Sequence, residues 1–529
     1  MRRTIYLVVL LMGFAFQQAH SQSYTDISGN DLNIYTSITE IQSVDNANSD
    51  TLVLADATAF SVGDTVMVYC VKGATIGTGD PAYLPGDHNY PAGDDAADPR
   101  NTGRYGFYLI SEVIGNSVVL NASLYNFIRN MEEGEVAQLI RARSFRYANV
   151  RAAGLSAPDW DPATGTGGVL TLFVHGVLRL DGDIDVSAAG FKGAPGSSDV
   201  LYPNGCSSTD TMNYYENFYL DGELWAGLKG EGITNTSFLY NRGKASSING
   251  GGGGNGLHAG GGGGSNHGFG VRGGEESTIC PPGVLVTGGA GGFDLSTGYY
   301  VNGNPLDRGD RIFFGGGGGS GTRRSLPSIN TNGGHGGGIV VIIADTIDGN
   351  GHWIRADGGD VSGTAINGAG AGGGGGGCII LDVAGYQGTL NLSSVGGDGG
   401  NSSGSDTTGM GGAGGGGVYW LAGDSHPGVS PILSTGTNGV FLSAIPYNPL
   451  LAPSFPGQED DLVAPLKGFL FNPVPSEIWV CSDQDPDPII TSDPKGGEAP
   501  YTYQWIDSSS TQNFWADIVG ATSKDYDPG

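Results

Sequence analysis

Blocks of consecutive glycines, alternating with short apolar runs, dominate the middle of this 529-residue chain. Three blocks lead directly into β-branched or aromatic runs, which begin at Ile339, Cys378 and Val418 and are therefore 39 and 40 residues apart. Spacing this regular is typical of a structural repeat whose copies stack on one another. The glycine blocks occupy residues 250–254, 260–264, 315–319, 336–338, 372–377 and 414–417.

Ordering a glycine costs up to about 1 kcal/mol of extra backbone entropy, so 98 glycines are either left disordered or packed for a specific gain. Flexible linkers are usually Gly/Ser mixtures, whereas runs of strand length follow these blocks. Glycine allows two backbones to approach with no Cβ between them, as on the collagen axis. We therefore predict extended left-handed glycine helices packed side by side, with a flexible tether as the alternative.

A fourth copy of the repeat lies at residues 165–196, where Gly167 and Gly168 lead into an apolar run. The strand after it alternates cleanly, which predicts one buried and one solvated face. The buried set is Leu178, Leu180, Ile184 and Val186, and the solvated set is Arg179, Asp181, Asp183 and Asp185. The predicted fold is all-β: a glycine-rich β-solenoid or layered β array over residues 151–425, with an insertion at 197–249.

Other segments flank this repeat region. Residues 1–21 have the charged start, apolar core and small-residue cleavage site of a secretory signal peptide. Residues 22–150 are predicted to form a small β-domain, residues 426–472 a proline-rich linker, and residues 473–529 the truncated start of an immunoglobulin-like sandwich. The strands predicted in the small β-domain are Thr51–Leu54, Thr65–Val71, Tyr105–Ile114, Ser117–Leu120 and Val136–Ala142.

The composition favours an exported protein that binds neither nucleic acid nor membranes. The net charge is −29, from 53 acidic and 24 basic residues, and such a surface repels both kinds of anionic partner. No segment after the signal peptide is long and apolar enough to cross a bilayer. Cys206 and Cys280 flank the first glycine blocks and are a candidate disulfide, whereas Cys70 and Cys378 lie in apolar runs and are predicted to be buried thiols.

Asp181, Asp183 and Asp185 are the candidate metal ligands. Neighbouring side chains on one strand face lie roughly 6–7 Å apart, a spacing that suits calcium or a pair of carboxylates acting on sugars. The alternative is a plain solvated face. No histidine pair has the spacing of a zinc site, and no Gly-x-Ser-x-Gly elbow lies in a strand-to-helix setting. The sequence thus predicts no catalytic residues and no cofactor other than calcium.

Two parts of the chain resemble known surface proteins. Gly496–Trp505, preceded by Cys481, is similar to the start of the repeat in SprB-type gliding-motility adhesins of Bacteroidota. Residues 24–425 resemble the glycine-rich N-terminal region of proteins exported by the type IX secretion system, through Val62–Val66, Ala157–Trp160, Gly190–Gly193 and the glycine block–strand units. The resemblance implies that this chain is the N-terminal part of a longer protein that reaches the cell surface or is released. It implies no catalytic residue.

The sequence therefore predicts a non-catalytic structural and adhesive module of a large secreted or cell-surface protein, in contact with an extracellular glycan or protein surface. The first alternative is a carbohydrate-binding or polysaccharide-degrading β-solenoid, and the second is a protein-binding ectodomain. An enzyme of this kind should bring acidic and basic side chains together in one groove, for example Asp181 and Asp183 with an arginine or lysine.

Overall fold

The computed structural model describes the barrel, the repeat region and a few residues near the C-terminus. The described residues are 23–43, 49–76, 97–98, 100–124, 131, 134–196, 226–234, 241–255, 258–275, 288–295, 300–301, 304–305, 311–323, 331–404, 408–422, 426–442, 506–507, 516–518, 520–523 and 525. Every regular element among them is a β-strand. No helix in these segments has the length and apolar character needed to cross a membrane.

The strands are numbered in chain order. They are β1 (Thr25–Gly29), β2 (Ile34–Ser43), β3 (Asp50–Leu54), β4 (Thr65–Lys72), β5 (Thr75–Ile76), β6 (Ala97–Asp98), β7 (Tyr105–Ile114), β8 (Ser117–Leu120), β9 (Val136–Arg141), β10 (Arg143–Phe145), β11 (Ala148–Leu155), β12 (Val169–Leu180), β13 (Ile184–Asp185), β14 (Tyr300–Val301), β15 (Asn304–Pro305), β16 (Ile339–Asp348), β17 (Trp353–Arg355), β18 (Thr364–Ile366), β19 (Cys378–Gln387), β20 (Leu390–Ser393), β21 (Asn401–Ser403), β22 (Val418–Leu421), β23 (Val429–Ile432), β24 (Ile506–Asp507) and β25 (Ala516–Asp517).

Six antiparallel strands close the N-terminal barrel in the order β2-β3-β8-β7-β4-β9. Five of the six were predicted from the sequence with bounds that agree within a residue at either end. Strand β4 is apolar from Val66 to Val71 because both of its faces are covered there. Its Val66 and Val68 point into the barrel core, while Met67 and Tyr69 belong to a second core that the barrel shares with the repeat region.

The first strands of successive repeats stack in parallel and in register. Val169 of β12 pairs with Ile339 of β16, Ile339 with Cys378 of β19, and Cys378 with Val418 of β22. The 39- and 40-residue spacing therefore equals one step across the sheet. Alternate side chains of these strands enter two different cores, which explains why each run is apolar throughout.

A second column of parallel strands follows the same order along the chain. Ile184 of β13 pairs with Ile354 of β17, which pairs with Leu392 of β20, and Leu392 pairs with Pro431 of β23. The two columns join through β11 into one eleven-stranded sheet whose path ends at β22 and β23. Each repeat thus contributes a long strand, a turn and a short strand, followed by a glycine segment.

The glycine segments pack as a bundle in which one residue in three faces the same neighbour. Gly315 and Gly318 donate backbone hydrogen bonds to Gly337 and Gly334, and none of the glycines at 315–319 has a positive φ. External hydrogen bonds with a three-residue period are the geometry of a left-handed polyproline II helix. The predicted side-by-side glycine helices are therefore present in the structure.

The helix at residues 315–320, called here the central glycine helix, has six neighbours. Its six N–H groups and six carbonyls all take part in backbone hydrogen bonds, with N···O distances of 2.8–3.3 Å. It donates to residues 334–337, 262–265 and 228–231, and it accepts from residues 191–194, 372–375 and 251–254. Complete pairing is what burial demands, because an unpaired buried backbone group costs about as much as a lost hydrogen bond.

Glycine is required in this bundle because the neighbouring backbones leave no room for a Cβ. A Cβ at Gly317 would overlap the carbonyl of Lys192, and one at Gly318 would overlap the carbonyl of Gly372. Helices at the rim of the bundle have close backbone neighbours on fewer sides. They therefore need glycine only at every third position. Gly227 and Gly230 meet the carbonyls of Ser320 and Gly317 in this way.

The structure changes three of the predicted domain boundaries. Residues 226–234 and 241–249, predicted to be part of an insertion at 197–249, lie within the bundle. Residues 426–442, predicted to begin a linker at 426–472, instead form β23 and a rim helix bonded to residues 411–414. Strand β10 and the first three residues of β11 fall inside the predicted 22–150 domain but pair with the parallel sheet.

Several predictions fall outside the residues that the structure describes. They are the signal peptide at 1–21, the linker from 443 to 472 and most of the predicted sandwich at 473–529. Of the last segment, only the short pair β24–β25 and a few neighbouring residues are described. The immunoglobulin-like prediction therefore remains a prediction.

Candidate functional site

The acidic strand lies on the outside of the second strand column, as its alternation predicted. Leu180 and Ile184 are buried, whereas Asp181 and Asp183 are half-buried and Asp185 is exposed. The parallel pairing of β13 with β17 brings residues 352–355 of the next repeat beside these carboxylates. The resulting group of side chains, Asp183, His352, Trp353 and Arg355, is called here the outer-face cluster.

Asp183 holds the outer-face cluster together. Its Oδ1 accepts hydrogen bonds from His352 Nδ1 at 2.9 Å and from the Trp353 backbone N–H at 3.1 Å. Its Oδ2 accepts from the Arg355 guanidinium at 2.7 Å. Desolvation alone would raise the pKa of Asp183, but these donors outweigh it and lower the pKa below its ordinary value. The carboxylate is therefore charged at neutral pH and fixed in orientation.

Arg355 also stacks on the indole of Trp353, with its Cζ 4.7 Å from the ring centroid. This distance is within the range of about 6 Å for a cation–π contact. Desolvation raises the pKa of Asp357, two residues after Arg355, although its carboxylate accepts hydrogen bonds from Ser393 and the Val395 N–H. The cluster itself is a pre-organised polar surface with one aromatic ring.

The three aspartates do not converge on a common point. Asp181 accepts from Arg179 at 3.0 Å, Asp183 bonds the outer-face cluster, and Asp185 accepts from the Ser187 backbone N–H at 2.8 Å. Within the residues that the structure describes, no group of three or more His, Cys, Asp or Glu side chains could hold a metal ion. The calcium hypothesis gains no support from this geometry.

A cavity of about 340 Å³ lies elsewhere, where one end of the barrel meets the glycine bundle. Lys72 from β4 and Val136 from β9 line one side, and residues 192–195 and 229–232 line the other. The outer-face cluster does not contribute to this cavity. Asp183 and Arg355 do not line this cavity, and their side chains are 36% and 29% exposed.

Glu231 connects the two sides of the junction. It forms an ion pair of 2.8 Å with Lys72, accepts from the Trp160 indole N–H at 3.1 Å to both oxygens, and accepts from the Lys192 backbone N–H at 3.0 Å. No sequence pattern marks this arrangement, because Lys72 and Glu231 are 159 positions apart. Trp160 and Lys192 do occur in the short motifs on which the family resemblance depends.

Of the four cysteines singled out in the sequence, two lie in the described residues. Cys70 and Cys378 are buried thiols, as predicted, while Cys206 and Cys280 fall outside the described residues. His258 and His267, on either side of the glycine block at 260–264, are buried, with 3% and 6% exposure.

Comparisons with known proteins add little. No family model matches the chain, and no curated protein matches it. Among solved structures, the Gp54 tailspike of Acinetobacter baumannii bacteriophage AP22, in complex with A. baumannii capsular saccharide, matches with 12% identity and a TM-score of 0.14. The match covers 77% of this chain and 57% of the tailspike chain, so it spans little more than half of the tailspike's length. Similarity at this level carries no argument about function.

Proposed function

We propose that this chain is a non-catalytic structural and adhesive module of a large secreted or cell-surface protein. In this proposal its repeats form a glycine-rich β-solenoid that holds neighbouring modules at a fixed distance and orientation. The six-neighbour packing of the central glycine helix is the observation that carries the proposal. A chain that only tethered other modules would have no need to bury and hydrogen-bond its glycines in this way.

Export to the cell surface is supported by the resemblance to type IX-secreted proteins and by the acidic composition, with a net charge of −29. Antibody labelling of intact cells, with and without permeabilisation, tests this part. Labelling of intact cells is expected. Labelling that requires permeabilisation would refute surface exposure.

Resistance to proteolysis tests the structural part. We expect proteinase K to leave a fragment covering residues 250–417 intact under conditions that digest an unstructured glycine-rich peptide. Rapid cleavage throughout that range would contradict a packed scaffold. An adhesion assay with beads that carry the chain, compared with beads that carry an unrelated acidic protein, tests the adhesive part separately.

Saccharide binding on the outer-face cluster is the second candidate function. It is favoured by a half-buried Trp353 whose ring is held by Arg355, with Asp183 and His352 as polar groups beside it. Aromatic faces with an adjacent polar rim are suited to molecules that are apolar on one side and hydroxylated on the other. A glycan array should then show binding that Trp353→Ala removes and that Ile366→Ala, at another exposed apolar position, leaves unchanged.

A further inference from the structure

The cavity at the barrel–bundle junction has the size and walls of a small-molecule site. Its volume of about 340 Å³ falls at the lower end of the roughly 300–1,000 Å³ that such sites occupy. Pro162, Pro195 and Val136 give it apolar walls, and the side chains of Thr234 and Ser247 add hydroxyl groups. Mostly apolar walls with a few placed polar groups are typical of sites that fix the orientation of one ligand.

The charges that line this cavity are opposite in sign to those of the chain as a whole. Three lysines, Lys72, Lys192 and Lys229, line it together with one carboxylate, Glu231. Glu231 is already engaged by Lys72 at 2.8 Å and by the Trp160 indole, so its negative charge is balanced within the wall. Lys192 and Lys229 are the remaining amines of the wall, in a protein whose net charge is −29.

Lys192 is the cation that can turn towards a ligand. Its side chain is 29% exposed, and its Nζ lies 3.8 Å from the Asp159 carboxylate, which is itself 69% exposed. An exposed pair at this distance contributes little and is readily exchanged for a better one. The Lys192 backbone is fixed independently, through its N–H bond to Glu231, so its side chain can move without disturbing the junction.

Lys229 is a second amine in the cavity wall. It is almost fully buried and donates to the carbonyls of Gly243 and Ala245. Desolvation lowers the pKa of Lys229 well below its ordinary value. A negative charge in the cavity would offset the cost of charging this amine.

We propose that this cavity binds a small hydroxylated carboxylate of the size of one sugar acid. Its carboxylate contacts the Lys192 ammonium, its apolar face lies against Pro162 and Pro195, and its hydroxyls bond the polar groups of the wall. The ligand is either a free acid or the terminal unit of an acidic polysaccharide. The site is separate from the outer-face cluster and independent of the structural role proposed above.

Calorimetric titration of the full chain at pH 7 tests this site, with D-glucuronate as the probe and D-glucose as its neutral analogue. Titration to about 10 mM would reveal any dissociation constant of about 1 mM or tighter. We expect saturable binding of glucuronate that is at least about tenfold tighter than any binding of glucose, since charge-assisted hydrogen bonds are roughly twice as strong as neutral ones. Absence of saturable heat with glucuronate would overturn the proposal.

Two variants locate the site. Lys192→Met keeps the apolar stem and removes the charge, and it should weaken glucuronate binding at least about tenfold. Arg151→Gln also removes an exposed positive charge, one that pairs with Asp26 at 3.6 Å, and it should bind like the parent. Thermal unfolding of both variants checks that they fold. Equal binding by the parent and Lys192→Met would refute the role of the cavity.

A uronic acid oligomer distinguishes the two sources of the ligand. Binding of both monomer and oligomer, each sensitive to Lys192→Met, fits a terminal sugar acid, and binding of the monomer alone fits a free acid. Both results support the cavity. Binding of the oligomer without the monomer would place recognition on an extended surface and would overturn the proposal.

Discussion

A single methyl group in the centre of the glycine bundle should destabilise the whole protein. In Gly318→Ala the new Cβ would overlap the carbonyl of Gly372. The backbone of Gly318 has no positive φ, and alanine readily adopts polyproline II dihedrals. Any loss of stability in Gly318→Ala therefore comes from crowding between helices and not from strained backbone angles.

The loss of stability in Gly318→Ala follows from the packing and the hydrogen bonds that the new methyl group disturbs. Overpacking a close-packed interior costs typically 1–3 kcal/mol. Separating the central glycine helix from residues 372–375 also weakens the hydrogen bonds from Gly372 N–H to the Gly319 carbonyl at 2.9 Å and from Gly375 N–H to the Gly316 carbonyl at 2.8 Å. Each net hydrogen bond contributes about 1 kcal/mol, so with two bonds weakened the free energy of unfolding should fall by about 1–5 kcal/mol.

Gly385→Ala is the matched control. Gly385 has no positive φ, and a Cβ there would meet only Thr346 Oγ1 at 3.7 Å and the Asp345 carbonyl at 3.9 Å, which is ordinary contact. Replacing a glycine where alanine fits changes stability by about 0.4–1 kcal/mol in the favourable direction. Urea unfolding of both variants measures the difference. Gly318→Ala within about 0.5 kcal/mol of Gly385→Ala would refute the crowding argument.

Three further changes test other parts of the structure. Ile380→Ala in β19, at a fully buried position, should cost about 2–5 kcal/mol in urea unfolding, and a loss below about 1 kcal/mol would contradict its place in the shared core. Burial lowers the pKa of Lys244 from 10.5 to about 8, so only the unfolded chain holds this proton between those pH values. The free energy of unfolding of the parent, relative to that of Lys244→Met, should therefore rise by at most about 3 kcal/mol as pH increases from 8 towards 10.5. Parallel pH profiles of stability for the parent and the variant would contradict this. Asp183→Asn should lower the free energy of unfolding at pH 7 by at most about 1 kcal/mol, because the group is partly exposed. The difference between the variant and the parent should vanish as pH falls through the lowered pKa of Asp183. A difference that persists at that pH would show that charge is not its cause.

The strands were predictable where local pattern decides structure. Apolar runs such as 65–71 kept their bounds because strand length and composition are local properties. Strand β2 was missed because its sequence, Ile34–Ser43, mixes threonine, serine and glutamate with the apolar residues. Strand β2 is stabilised by its pairing with β3 and β9. Such pairing partners cannot be identified from the local sequence pattern of β2 alone.

The glycine bundle was predictable in its centre and less so at its rim. Consecutive glycines are needed only where a helix is crowded on several sides, as at 315–319. Rim helices need one glycine in three, as at Gly436 and Gly439, which meet the carbonyls of Gly397 and Gly400. A search for Gly-x-x-Gly spacing would have extended the repeat region to this segment.

The junction cavity could not be predicted, because its walls come from distant parts of the chain. Lys72 ends a barrel strand, Lys192 lies near the end of the repeat copy at 165–196, and Glu231 lies on a rim helix. Each of them is an isolated charged residue in the sequence. The outer-face cluster was half predicted: its aspartate was identified, but its partners Trp353 and Arg355 arrive through the pairing of β13 with β17.

Amide hydrogen exchange in the central glycine helix and in residues 372–377 tests the central claim most directly. These amides bond neighbouring backbones at 2.8–3.0 Å, apart from the shorter bond from Gly377 N–H to the Ala356 carbonyl, and they are buried. Their exchange should be as slow as that of barrel strand β4, because both open only when the fold opens. Exchange at the rate of an unstructured glycine peptide, with β4 still protected, would contradict a packed glycine scaffold.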